Sequence, residues 1–320
     1  MSEFGFSSTA DDVLEGRDLS GKRVFVTGGY SGLGKETARA MASKGAEVVI
    51  AGRDEEKLAE VRAELERETG GRIETILCDL ASLQSVRDCA AEARERFDLI
   101  DLLINNAGVM ACPKDRTADG FERQFGTNHV GHFLLTNLLV PLLEKGDRPR
   151  IVNLSSRGHH IDEVHFDDPH FEDRDYDPWL SYGQSKTANV LFTVGLEERL
   201  KDRGIHAYAV HPGGIHTNLG RHMTEEDMAR LSKRIAASAA EDGKKPEGFK
   251  TIPQGAATTC YAATASELEG RGGLYLENSH VAEVDDESRT EGVRSYAVDR
   301  DKANRLWAMS EEMTGERFSY

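Results

Sequence analysis

Beginning at Lys22, short apolar runs rich in β-branched residues alternate with stretches whose apolar positions recur at helical spacing. That alternation is the pattern of βαβ units feeding a parallel sheet. RVFVT (23–27), AEVVIA (46–51), IETIL (73–77), LIDLLIN (99–105), RIVNLS (150–155) and HAYAV (206–210) read as six strands, and GGLYL at 272–276 as a seventh. Residues 33–44, 55–68, 83–97, 119–144 and 182–203 read as helices, with Asp54 and Ser82 placed as N-caps. The order predicts an α/β fold, a single Rossmann-type doubly wound parallel sheet of about seven strands flanked by helices. With no fixed-period repeat and no low-complexity linker, one domain is expected over 21–320, behind an N-terminal extension of residues 1–20.

Two regions interrupt the rhythm. Residues 157–181 are acidic, His-rich and Pro-containing, and 218–250 form a polar helical segment ending in EDGKKPEG. Long excursions from a regular α/β frame commonly serve as functional loops, so 218–250 is expected to be a substrate-loop region. His159, His160, His165 and His170 fit no ligand spacing, and no metal is expected.

Charge narrows the partners. The chain of 320 residues carries a net charge of -16 with 30% charged residues and no basic stripe, which argues against nucleic acid. Four scattered cysteines, Cys78, Cys89, Cys112 and Cys260, suggest neither a zinc site nor a disulfide framework and fit a reducing, cytoplasmic setting. The N-terminus lacks a basic start and apolar core, and the most apolar stretch, 133–143, is broken by Thr136, Asn137 and Pro141 and reads as a buried helix. No membrane span is expected.

Candidate chemistry begins directly after the first strand, where TGGYSGLG (27–34) leads into a helix. Glycines there let the backbone turn tightly and approach a pyrophosphate set against the helix N-terminal amides. At the end of the second strand, AGRD places neutral Gly52 where an acid would otherwise meet the adenosine ribose hydroxyl, leaving space for a 2′-phosphate that Arg53 can pair with. NADP(H) is thereby favoured, with NAD(H) as the lesser alternative. Lys35 is a further candidate cation, and the place of Tyr30 in the glycine turn stays open between stacking on the adenosine ribose and facing solvent.

Taken with CDL at Asp79, NNAG at 105–108, Asn128, NLSS ending in Ser156, YGQSK at 182–186 and HPGGIHT at 211–217, the ordered motifs resemble the short-chain dehydrogenase/reductase family from Lys22 to about Tyr275. CDLASLQSV, DGFERQFGTNHVGHF and YGQSKTANVLF are most similar to its branch of retinol dehydrogenases and related NADP-dependent oxidoreductases, here in a soluble form. The resemblance implies that Ser156 bonds the substrate oxygen, Tyr182 exchanges the proton, Lys186 grips the nicotinamide ribose and Asn128 holds a water linked to Lys186. It also implies cofactor contacts from Gly28, Tyr30, Ser31, Gly32, Leu33, Gly34, Asp79, Leu80, Asn106, Ala107 and Gly108. Further contacts would come from Tyr182, Lys186, Pro212, Gly213, Ile215 and Thr217. Relatives commonly pair long helices across a homodimer or homotetramer interface, so such an assembly is expected. Ser155, adjacent to Ser156, competes for the serine role.

The Tyr–Lys spacing has its own logic. Four residues apart on a helix, Tyr182 and Lys186 share a face, so the ammonium is expected to lower the phenol from its usual value of about 10. The expected function is interconversion of an alcohol and a ketone or aldehyde, on a hydrophobic small-molecule substrate walled by Met110, His159, Trp179 and the 218–250 segment. Two rival readings remain: a non-catalytic NADP(H) sensor or scaffold, and another NADP-dependent reaction on the same fold, such as an epimerase.

Overall fold

The computed structural model describes residues 4–220, 223, 225–245 and 248–320. Residues 1–3 of the expected extension, and 221, 222, 224, 246 and 247 of the expected substrate region, lie outside the described residues.

Eight strands form one sheet in the order β3-β2-β1-β4-β5-β6-β7-β8. They are β1 (Arg23–Thr27), β2 (Glu47–Gly52), β3 (Ile73–Leu77), β4 (Leu102–Asn105), β5 (Arg150–Leu154), β6 (His206–His211), β7 (Leu274–Glu277) and β8 (His280–Val281). All pair in parallel except β7 with β8, a two-residue antiparallel edge that the apolar pattern did not disclose. The central strands are apolar at successive positions because helices cover both faces, so neither side of the sheet meets water.

One face carries α1 (Ala10–Val13), α2 (Gly32–Ala42), α3 (Glu55–Thr69) and α9 (Ile252–Thr264), closing a core around Val26, Ile50, Leu65 and Tyr208. The other carries α4 (Leu83–Arg96), α6 (Gly131–Leu143), α7 (Pro178–Leu200) and α10 (Arg300–Thr314) over Phe25, Leu103, Phe133 and Trp307. Neither α9 nor α10 was among the helices expected from the sequence. The stretch expected as a bare extension contributes α1, capped by a reciprocal Thr9–Asp12 box, with Ala10, Val13 and Leu14 fully buried in the first core.

The helix expected over 119–144 starts later and is not uniform: α5 (Arg123–Phe125) passes through a π-helical turn, Gly126–Val130, into α6. Pro141 near the end of α6 has no N–H to give the carbonyl of Asn137; the Tyr320 hydroxyl sits over this gap, donating to Asn137 Oδ1 (2.8 Å) with the carbonyl at 3.4 Å. Asp177 caps α7 through the amides of Trp179 and Leu180, with Pro178 as its first residue, so α7 begins one turn before Tyr182.

The strand order reverses between β1 and β4. Brought side by side in register (Val26 opposite Ile104), these strands end at a crevice from which their connecting loops diverge.

Candidate active site

A cleft of about 1780 Å³ opens at the carboxyl ends of the strands. It runs from the turn after β1 and the end of β2, across the β4 and β5 loops, to the segment after β6 and the inner side of α8 (Glu225–Glu241).

At one end, the glycine turn is shaped by close backbone approach. Gly28 sits at φ +66°, and a Cβ there would come within 3.1 Å of Ala107 and of Asn106 Nδ2. A Cβ on Gly34 would lie 2.5 Å from the Gly28 carbonyl oxygen, so the first turn of α2 can rest against the loop only as glycine. Ser31, at the α2 N-cap, makes no side-chain capping bond, unlike Asp54, Ser82, Asp177 and Asp299 at their helices. The amides of α2 therefore face the cleft without a side-chain acceptor, the arrangement that receives a pyrophosphate. Gly28, Tyr30, Ser31, Gly32, Leu33, Arg53, Asp79, Leu80, Asn106, Ala107, Gly108, Pro212, Gly213, Ile215 and Thr217 all line the cleft; Gly34 lies behind its wall.

Two expectations at this end need amendment. The Tyr30 ring packs on the Gly52 backbone where any side chain would stand, so the space attributed to Gly52 is filled by an aromatic ring. Lys35 is paired with Glu64 at 2.6 Å. Arg53 is exposed on the cleft rim and forms no ion pair among the described residues.

The middle of the cleft holds the expected catalytic set. Ser156 caps the short 3₁₀ turn Arg157–His160 by accepting from the Gly158 amide (3.0 Å), and its hydroxyl lies near enough to the Tyr182 phenol to favour the phenolate. Gly158 is what lets the ring close in: a Cβ there would stand 2.7 Å from Tyr182 Cε1. Ser155 turns the other way and donates to the Lys186 carbonyl (2.9 Å), which gives it a structural place on the strand end. Trp179 sets its ring edge-on to Tyr182, centroids 6.3 Å apart.

Lys186 Nζ donates to the Leu154 carbonyl (3.0 Å) and lies 5.6 Å from the Tyr182 ring centre. The expected lowering of the phenol is reversed in this state. Burial pushes Tyr182 up to about 12, opposed by the nearby Ser156 hydroxyl, and burial likewise pushes Lys186 down to about 8. Removing water from both groups costs each its charged form, and at this separation the ammonium does not overcome that cost.

Asn128 sits behind the wall, in the π-helical turn. Its side chain brackets Val109, accepting from the amide (2.8 Å) and donating to the carbonyl (2.9 Å), and also donates to Ser185 Oγ (3.0 Å). Its backbone carbonyl meets His132 Nδ1 at 2.9 Å, and His132 Nε2 meets Thr27 Oγ1 at 2.8 Å. Burial pushes His132 down to about 4, so the ring is neutral. A carbonyl can only accept, which puts the single ring proton on Nδ1 and leaves Nε2 to accept from the Thr27 hydroxyl. Thr27 Oγ1 in turn receives the amides of Asn106 (2.9 Å) and Ala107 (3.0 Å). His132 and Thr27 thus tie the glycine turn, the NNAG loop and Asn128 into one network. Sequence reasoning missed both, although each lies inside a motif it quoted.

At the far end, Met110 and Trp179 line the cleft as expected, but His159 does not. It is fully buried, bonding the Ser156 carbonyl (2.7 Å) and the Arg294 amide (3.2 Å). The other histidines are engaged separately: His160 with the Gly292 carbonyl, His165 with Asp162, His170 with the Glu122 amide. Past α8, Asp242 accepts from Ser288 Oγ (2.9 Å), the amides of Arg289 and Thr290 (2.9 Å each) and Thr290 Oγ1 (2.5 Å), fastening the helix to the 285–294 loop. Lys244 adds an ion pair to Glu291 at 2.6 Å.

Known proteins are similar along nearly the whole chain. The short chain dehydrogenase family profile matches residues 22–168. The short-chain dehydrogenase/reductase prx1 of Penicillium roqueforti is 38% identical over 95% of this chain and 89% of its own length. Retinol dehydrogenase 11 of Mus musculus is 39% identical over 93% of this chain and 87% of its own. Among solved structures, an uncharacterized protein of Mycobacterium paratuberculosis superposes with a TM-score of 0.73 at 34% identity, covering 99% of this chain and 100% of that one. A short chain dehydrogenase of Burkholderia cenocepacia in complex with NADP gives 0.64 at 27% identity, covering 82% and 97%. The chain belongs to the short-chain dehydrogenase/reductase family, as an oxidoreductase acting on CH–OH or C=O groups with a nicotinamide dinucleotide.

Proposed function

We propose that this protein interconverts an alcohol and a ketone or aldehyde using NADP(H), with Tyr182 as the acid/base and a medium or large, largely apolar substrate. The observation that carries the reading is the Ser156–Tyr182 hydroxyl pair inside the cleft, with Lys186 one helical turn on. When bound, the nicotinamide supplies or accepts the hydride.

The residues divide the remaining work. Ser156 offers its hydroxyl to the substrate oxygen. Tyr182, kept protonated at neutral pH by burial, donates its proton to that oxygen as negative charge develops in reduction, and accepts it back in oxidation. Lys186 would bond the nicotinamide ribose and, when charged, favour the phenolate left behind; Asn128 would hold the proton path to Lys186. The bare N-terminus of α2 and the glycines at 28 and 34 fit the pyrophosphate, and Arg53 on the rim fits a 2′-phosphate. Met110 and Trp179, with Ile235 from α8, give the substrate end apolar walls.

Tyr182→Phe removes one hydroxyl. On a panel of ketones followed by NADPH absorbance, kcat is expected to fall by about two to four orders of magnitude with little change in NADPH affinity. Unimpaired turnover would overturn the assignment.

A further inference from the structure

We propose that the substrate carries a carboxylate and that Arg157 holds it beside Ser156; this rests on the alcohol–carbonyl reading above and names the substrate class for that site. Arg157 directly follows Ser156 and opens the 3₁₀ turn Arg157–His160. Its amide donates to His211 Nδ1 (3.2 Å), which fixes the backbone from which the side chain enters the cleft. The residue is half-buried, and the bond its guanidinium makes is one long contact to the Thr290 carbonyl (3.3 Å). Among the described residues it forms no ion pair.

Its neighbours are committed elsewhere. Arg294 bonds the carbonyls of Asp285 (2.5 Å) and Ser288 (2.6 Å), and Arg289 on the rim stands 3.5 Å from Glu241. Glu277, buried behind the loop, receives the Gly292 amide (2.8 Å); the Arg157 charge favours its carboxylate form from a distance, but the two close no ion pair. His160 bonds the Gly292 carbonyl and is pushed down to about 4, mainly by burial, so it is neutral and brings no charge to the site. In a chain of net charge -16, a half-buried, cleft-lining arginine that closes no ion pair among the described residues runs against the composition. Sheltering such a charge is costly unless something pairs with it, and a guanidinium fork matches a carboxylate in two-point geometry. With Met110 and Trp179 as apolar walls, the fitting molecule is an oxo or hydroxy acid with an apolar body.

The test uses the full-length protein with NADPH and matched pairs of medium-chain oxo acids and their methyl esters. Wild type is expected to favour the acid by at least about tenfold in kcat/KM, Arg157→Gln to abolish that ratio, and Arg157→Glu to shift preference toward an amine-bearing analogue. Equal turnover of acid and ester by wild type, or a parallel loss of both in Arg157→Gln, would overturn the proposal while leaving the alcohol–carbonyl reading intact. Failure of wild type to turn over any member of the pairs would count against that reading itself.

Discussion

The two ends of the cleft are built from different materials. The proposed dinucleotide end is made by backbone: a turn in which Gly28 holds a left-handed φ and Gly34 leaves no room for a Cβ, a helix whose first amides lack a side-chain cap, and strands whose register is fixed within the sheet. The substrate end is made by side chains on segments distant in sequence, with α8 fastened to the 285–294 loop through Asp242. The first design tolerates almost no substitution, whereas the second can change its ligand without touching the sheet. On the proposed reading, recognition of a constant cofactor and selection of a particular substrate are separated along a single cleft.

This contrast can be broken most forcefully at Gly34. A methyl group there meets the Gly28 carbonyl, so Gly34→Ala should force α2 off its turn, with NADPH affinity down by at least about thirtyfold and stability down by about 1–3 kcal/mol. Fluorescence titration and denaturant unfolding read the two effects; an unaltered Kd would mean that the turn does not receive the cofactor. Next in size is Arg53→Asp, expected to cut the NADPH-over-NADH preference about tenfold through loss of one phosphate pairing and gain of a repelling charge. An unchanged preference would remove the phosphate role. The smallest change is expected from Asp242→Asn, which keeps the shape but weakens the charge-assisted bonds to residues 288–290. KM for bulky ketones should rise about two- to fivefold while NADPH affinity stays constant, and a shift in NADPH affinity would show that the two ends are not independent.

The same division explains what could be read from the sequence. The glycine turn, the AGRD corner and the Tyr–Lys spacing are short-range patterns, legible because their geometry follows from a few consecutive residues. The packing of Tyr30 on Gly52 joins positions 22 residues apart, and it changes a predicted opening into a filled one. Helix α9 escaped detection because IPQGAATTCYAAT is small and buried almost throughout, with no polar face to mark a period. Two-residue β8 carries too little pattern to register, and α1 gains its meaning from packing on α9 rather than from its four residues. His159 was expected on the pocket wall, but its ring is drawn inward, at both nitrogens, by partners that lie far from it in sequence or on the backbone. The direction of the Tyr182 shift was misjudged because helical spacing conveys proximity and says nothing of burial.

The π-helical turn at Gly126–Val130 gives the helix through Asn128 a change of phase. Relative to a regular helix it houses one extra residue, so side chains before it are rotated by about 100° against those after it. That offset allows one continuous segment to direct Gln124 toward the Pro178 carbonyl at the start of α7 while Asn128 brackets Val109 and His132 reaches Thr27. Deleting a single residue here would leave composition and hydrophobicity nearly unchanged yet turn one set of contacts away from the other. Chain length through this turn is therefore under as tight a geometric constraint as the identity of any residue in the cleft.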